Sequence, residues 1–272
     1  MEYNHEKHED ALRTSHESCG VMYAGYGKEY IELATKSARS VKRHAPKLPV
    51  AIATDVHRVD DVWDHVIHEP LTPIPPKAEK KSQAPVLPND YIWAKLRSML
   101  KSPFKRTLYL DGDTYVLDDI TDVFRLLDRV EMGFTFGHDR VERHYKSRKW
   151  QAIPDIVPYA FAPLQGGFVL FKDTPGVKIV INTVANEYPW QGHHDEQMTW
   201  RRALWLHPHL RFYMLPPEWN FNSMRDIVMW GERHFREARP KIMHYTLMGK
   251  KWDGHQIENW RSRFTETEGV AY

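Results

Sequence analysis

The hydropathy pattern opens with a short apolar run, Gly20 to Ala24, stopped by Gly25 and Gly27. Such a run reads as a buried strand that meets a turn. From Lys28 to His44 the apolar positions Ile31, Ala34, Ala38 and Val41 recur at helical spacing, and Lys and Arg gather near the end. That predicts an amphipathic helix whose C-terminal dipole is complemented by positive charge, with Pro46 just beyond it. Val50 to Thr54 is a second apolar run, ending at Asp55. Strand, helix and strand in close succession form a βαβ unit, which implies a parallel sheet covered by helices.

Val62 to Ile67 predicts a third strand, and the Pro- and Lys-rich stretch Pro70 to Pro88 a surface loop. Asn89 or Asp90 is placed to cap a helix over Tyr91 to Leu100, with Ile92, Leu96 and Met99 on one face and Pro103 past its end. Thr107 to Leu110 predicts a strand that runs straight into Asp111-Gly112-Asp113; the extended pattern resumes at Tyr115 to Leu117. A helix is expected over Ile120 to Leu127, strands over Met132 to Gly137 and Phe168 to Phe171, and helices over Val177 to Tyr188 and His194 to Trp205. Beyond Trp205 the chain reads as an irregular aromatic tail. No repeat or low-complexity linker interrupts the chain, so one mixed α/β domain is expected over residues 19–272, behind a polar tail over 1–18.

Composition narrows the class. The chain has 272 residues and a formal net charge of +2, so no global charge draws it to nucleic acid or to an anionic membrane. The single cysteine, Cys19, rules out an internal disulfide and fits a reducing compartment. No stretch reaches the roughly 18 apolar residues of a membrane helix, and Met1 to Ser18 lacks an apolar signal core. A cytoplasmic enzyme is the expectation.

Asp111-Gly112-Asp113 carries the candidate chemistry. Residues two apart in an extended segment point the same way, and the glycine between them lets the backbone bend closely. Two carboxylates converging at a strand end can hold a hard divalent cation, with Mg–O distances of about 2.0–2.1 Å, and a diphosphate can complete the coordination. Asp-Gly is equally a hairpin signal, with Tyr109-Leu110 and Tyr115-Val116 as the two strands; the aspartates would then be turn residues.

The surrounding segments resemble the GT-A fold glycosyltransferases of the glycogenin and bacterial galactosyltransferase type. Leu108 to Asp113 is similar to the strand and Asp-X-Asp motif of that family, and Val21 to Gly25, Tyr30, Ser40 and Arg43 resemble its first strand and helix. Leu164 to Val169 resembles its glycine-containing strand beside the donor sugar, and His194 to Gln197 its acidic helix start. Lys241 to Tyr245 with Gly249 to Trp252 resembles its C-terminal metal and phosphate segment, although Lys251 stands where proline is common. Gln165-Gly166 likewise replaces the commoner Asn-Thr or Asn-Ser. The likeness spans residues 20–253 and implies a mainly parallel sheet flanked by helices, with a nucleotide-binding half over 19–117 and a sugar and acceptor half over 118–272.

The resemblance implies Mn²⁺ or Mg²⁺ held by Asp111, Asp113 and His244, and nucleotide contacts at Ala24, Gly25, Asp55 and Gly112. Lys95 and Arg97 lie on the preceding helix, from which one can reach the diphosphate; Lys250 is a candidate phosphate clamp. Asp195 is the first choice for a catalytic or sugar-binding carboxylate, although acidic residues at a helix start are favoured by capping alone. Gln197, with Gln165 and Gly166, is expected beside the sugar. The implied donor is a nucleotide-diphosphate sugar, UDP-linked by resemblance, and the acceptor a saccharide, a protein or another hydroxyl compound. Trp219-Asn220-Phe221-Asn222 suits either a sugar platform or a packed loop. Two rival classes remain: a haloacid-dehalogenase-like phosphatase with Asp111 as nucleophile, and a nucleic-acid binder using the basic stretch Arg140 to Trp150.

Overall fold

The computed structural model describes residues 19–74, 89–137, 156–158, 160–161, 163–191, 196–221 and 239–244. Strand β1 (Cys19–Ala24) leads through Gly27, whose φ of 78° demands a glycine, into helix α1 (Lys28–His44). Strand β2 (Val50–Thr54) comes after it, and both α1 and β2 fall on the bounds that their apolar periodicity predicts. Strand β3 is His65–His68, and helix α2 spans Asp90–Met99. Asn89 caps α2, its side-chain oxygen accepting the Tyr91 N–H at 2.8 Å. Next come β4 (Arg106–Leu110), β5 (Thr114–Val116), a 3₁₀ helix over Thr121–Asp128, β6 (Met132–Phe136) and β7 (Leu164–Lys172).

Two helices, α3 (Pro175–Gln191) and α4 (Gln197–Leu206), complete that side; β8 (Phe212–Leu215), a short 3₁₀ turn over Pro217–Trp219 and β9 (Ile242–His244) end the described chain. Most of this last stretch reads as irregular in sequence, apart from the apolar pair before His244, which predicts a short strand; β9 is that strand, and β8 forms as well. β8 and β9 have only four and three residues, too few to show a period, and their order comes from the strands they meet. The predicted helix over Ile120 to Leu127 is a 3₁₀ helix, and β7 is longer at both ends than its apolar run Phe168 to Phe171.

A seven-stranded sheet has the order β3-β2-β1-β4-β7-β6-β8. Pairs β2–β3, β1–β2, β1–β4 and β6–β8 are parallel, while β7 runs antiparallel between β4 and β6. Alternate residues of β1 enter opposite cores: Val21 and Tyr23 pack with α1, Met22 with α2 and α3. The result is a helix–sheet–helix sandwich. No described helix is long and apolar enough to cross a membrane.

The hairpin alternative for Asp-Gly is excluded by the strand partners. β4 is paired on both sides within the large sheet, whereas β5 pairs antiparallel with β9, Thr114 opposite His244. This crossing brings the end of the chain's described part back onto the Asp-X-Asp segment.

Candidate active site

Asp111 to Thr114 form a tight turn at the end of β4, closed by the Thr114 N–H donating to Asp111 O at 3.2 Å. The aspartates converge because the chain turns, and not by the alternation along an extended strand that their spacing predicts. The turn is held from beneath by α1. Thr114 Oγ1 donates to Asp111 O at 2.8 Å, so its own oxygen accepts from Ser37 Oγ at 2.8 Å, which in turn accepts from the Tyr23 hydroxyl at 3.0 Å. All three side chains are fully buried. Ser40 Oγ adds a second tie, accepting the Val116 N–H at 2.8 Å. Gly112 sits against the first turns of α1, where an added Cβ would stand 3.3 Å from Ala34 and from the Tyr30 carbonyl.

His244, at the end of β9, points its Nε2 at Asp113 Oδ1, 3.0 Å away. One ligand atom from each of Asp111, Asp113 and His244 lies within 4.8 Å of the others, the only such group among the described residues. Burial alone would lower the His244 pKa, but the neighbouring Asp113 and Asp111 outweigh it and raise it above 6.5. Burial likewise disfavours ionised Asp113, yet His244 beside it brings its pKa down to about 2. Asp111 is raised, chiefly by burial and then by the Glu196 and Asp113 charges, against the pull of Lys95 and His244. Two carboxylate oxygens and one imidazole nitrogen suit Mn²⁺ or Mg²⁺ in a partly solvated site.

Room for this cluster is made by β7. At Gly166 an added Cβ would fall 2.0 Å from Glu196 Oε1; at Gly167 it would fall 2.6 Å from His244 Cε1 and 2.9 Å from Asp111 Oδ2. Both positions therefore exclude side chains for a direct steric reason. The backbone closes the same corner, with the Asp111 N–H donating to Gly167 O at 3.0 Å.

Lys95 is the centre of charge. From the buried face of α2 its Nζ reaches Asp111 Oδ1 at 2.8 Å and Glu196 Oε1 at 2.6 Å, with 9% of its side chain exposed and 5% of that of Glu196. Burial opposes its charge, but the two carboxylates keep it protonated well above the usual lysine range. Glu196, directly before α4, is the acidic residue that the structure brings into the site. Asp195 lies outside the described residues, as do Lys250 and the basic stretch Arg140 to Trp150.

These groups share one cavity of about 360 Å³, lined among others by Ala24, Lys95, Gly112, Gln165, Glu196 and Gln197. Tyr30 and Tyr91 also line it, about two-fifths exposed, with ring centroids 5.5 Å apart. Other expected contacts are placed elsewhere. Gly25 is packed between Ile31 and Ile52, and Asp55 is exposed at the end of β2; neither lines the cavity. Arg97 turns to Glu69 at 3.5 Å and over the Trp93 ring at 4.8 Å, so Lys95 alone of the α2 cations faces the site. The aromatics around Asn220 are no sugar platform: Phe221 is buried, and Trp219 packs against Phe168 at the core.

A larger groove of about 740 Å³ runs along α1 and the 56–60 loop. Its charges include the Arg39–Asp60 pair at 2.7 Å, and it contains no cluster of carboxylates with histidine. Chemistry rather than volume therefore selects the cavity at Asp111.

No protein-family model matches the chain, and no curated protein does. Solved structures do. The galactosyltransferase LgtC, crystallised with donor and acceptor sugar analogues, superposes with a TM-score of 0.54 at 14% identity, over 91% of this chain and 94% of that one. The glycosyltransferase GlyE of Streptococcus pneumoniae TIGR4 gives the same score at 14% identity, over 91% of this chain and 59% of that one. The bifunctional glycosyltransferase WbbM gives 0.52 at 12% identity, over 84% of this chain and 45% of that one. The chain thus has the GT-A glycosyltransferase fold.

Proposed function

We propose that the protein is a glycosyltransferase that takes a nucleotide-diphosphate sugar and passes its hexosyl group to an acceptor hydroxyl. The observation that carries this is the convergence of Asp111, Asp113 and His244 on the cavity wall of a GT-A fold. The fold supports glycosyl transfer over the phosphatase and nucleic-acid readings. Fold analogy supplies the reaction class; the site chemistry supports the rest.

The three ligand atoms are close enough together to share one cation, and the bare Gly167 leaves space beside them. Asp111, Asp113 and His244 would hold Mn²⁺ or Mg²⁺, which when bound offsets the charge developing on a leaving diphosphate. Lys95 keeps Asp111 and Glu196 in fixed positions and brings a positive charge to the same wall. Glu196, Gln165 and Gln197 offer hydrogen-bonding groups to sugar hydroxyls on the side facing Gly166. Tyr30 and Tyr91 line the cavity as a tilted aromatic pair, a surface suited to a nucleobase. Asp195 keeps its proposed part as a carboxylate near the anomeric carbon, Lys250 as a phosphate clamp, and UDP as the nucleotide suggested by family resemblance; retention of configuration rests on the same ground.

A thermal-shift panel of UDP-, GDP- and dTDP-sugars, each with and without Mn²⁺, tests this. A donor at about 100 times its Kd stabilises by about 2.7 kcal/mol, which for a chain of this size is about 5 to 10 °C. The expected result is such a shift with one nucleotide class, present only with the metal. A flat panel, or shifts that ignore Mn²⁺, would remove the donor reading.

A further inference from the structure

Asn220 stands directly after the short 3₁₀ turn, and its backbone N–H closes that turn on Pro217 O at 3.0 Å. The next residue, Phe221, is tied to β9 from both sides: its N–H donates to Ile242 O at 2.8 Å, and its carbonyl accepts the His244 N–H at 2.9 Å. Asn220 is therefore held in register with His244. Asn220 is 4% exposed, and its Oδ1 lies 3.1 Å from His244 Nδ1, on the opposite side of the ring from Asp113.

An amide oxygen can only accept, so the nitrogen facing it carries the hydrogen. A neutral imidazole with its hydrogen on Nδ1 has its lone pair on Nε2, the atom aimed at Asp113 and the acidic pair. The opposite tautomer would aim an N–H at the place where a cation has to sit. A histidine ligand needs such an outer partner, since either nitrogen can otherwise hold the proton. We infer that Asn220 is a positioning residue for the divalent-cation site: its side-chain oxygen fixes the His244 tautomer and ring orientation that leave Nε2 free to coordinate. This rests on the metal reading of Asp111, Asp113 and His244.

The other end of the amide gives the inference a sharp control. Asn220 Nδ2 is buried and has no hydrogen-bond partner among the described residues, so Asn220→Asp loses no bond seen there. A carboxylate is an obligate acceptor and fixes the same tautomer. Asn220→Leu keeps the size and removes the acceptor.

Calorimetric titration with Mn²⁺ alone should therefore leave Asn220→Asp as tight as the wild type or tighter. Asn220→Leu should bind about 10- to 100-fold more weakly, the usual cost of losing an outer partner of a metal ligand. Long-range ¹H–¹⁵N correlation of the wild-type Mg²⁺-loaded protein, with His244 assigned by the His244→Gln spectrum, should show hydrogen on Nδ1. That measurement requires neither Asn220 variant to fold. Wild-type binding matched by Asn220→Leu overturns the role of Asn220 alone; a hydrogen found on Nε2 removes His244 as a ligand through that atom, and this inference with it. A wild type that binds no Mn²⁺ overturns the metal reading, and with it this inference.

Discussion

Replacing Gly167 by alanine should weaken divalent-cation binding at the proposed site while leaving the sheet standing. A methyl group there would lie 2.6 Å from His244 Cε1, 2.9 Å from Asp111 Oδ2 and 3.2 Å from His244 Nδ1. All three atoms belong to proposed ligands, and contacts under 3.0 Å force something to move. His244 has little freedom to yield: it is 6% exposed, with Asn220 on one side and Asp113 on the other. Asp111 is held by Lys95 and by its backbone bond to Gly167 itself. The displacement therefore falls on the ligand geometry. Overpacking of this kind costs about 1–3 kcal/mol of stability, a loss that a domain of this size can survive. Mn²⁺ affinity should fall by at least about tenfold, by analogy with other disturbances of a ligand's support. Calorimetry and a melting curve on the same sample read both effects. Gly176→Ala is the control, because its added methyl meets nothing closer than 3.8 Å. It should bind Mn²⁺ as the wild type does. Wild-type affinity in Gly167→Ala would mean that His244 and Asp111 do not hold the ion.

Lys95→Met should be the most destabilising single change in the site. Lys95 Nζ is the shared partner of Asp111 and Glu196, and its removal leaves Glu196 buried without a counter-charge and the partly exposed Asp111 without its nearest cation. Breaking a buried ion pair by deleting one member costs about 3–5 kcal/mol, because the other charge stays buried and uncompensated. In a chain of this length that is a drop in Tm on the order of 10 °C. Glu196→Gln should cost less, since Lys95 keeps Asp111 and the amide can still accept from it. Added Mn²⁺ should recover part of the Lys95→Met loss by returning positive charge beside Asp111. A methionine variant that melts with the wild type would show that Lys95 is not the counter-charge of this site.

The N-terminal βαβ unit is legible because its information is local. Apolar runs, a glycine stop, an amphipathic stripe and Asn89 as a cap each act within a few residues, and α1 and β2 obey them to the residue. The Asp-X-Asp motif is legible as chemistry but not as geometry, since its shape depends on a hydroxyl chain through Ser37, 77 residues from Thr114. Asp195 ranks ahead of Glu196 on sequence only because two acids at a helix start look alike there. What distinguishes Glu196 is Lys95, 101 residues away. One signal is present: Lys95 lies on the same helical face as Ile92, Leu96 and Met99, and a lysine in an apolar stripe calls for a buried partner. Asn220 carries no comparable sign. Its importance comes from pairing with β9, a strand of three residues with no period of its own.

The most direct measurement is the anomalous difference density of a crystal grown with Mn²⁺ and a nucleoside diphosphate. A single strong peak is expected within about 2.0–2.3 Å of an oxygen of Asp111, an oxygen of Asp113 and Nε2 of His244, bridged to the diphosphate. Diphosphate bound elsewhere, or a peak that leaves those three side chains in their metal-free contacts, would contradict it.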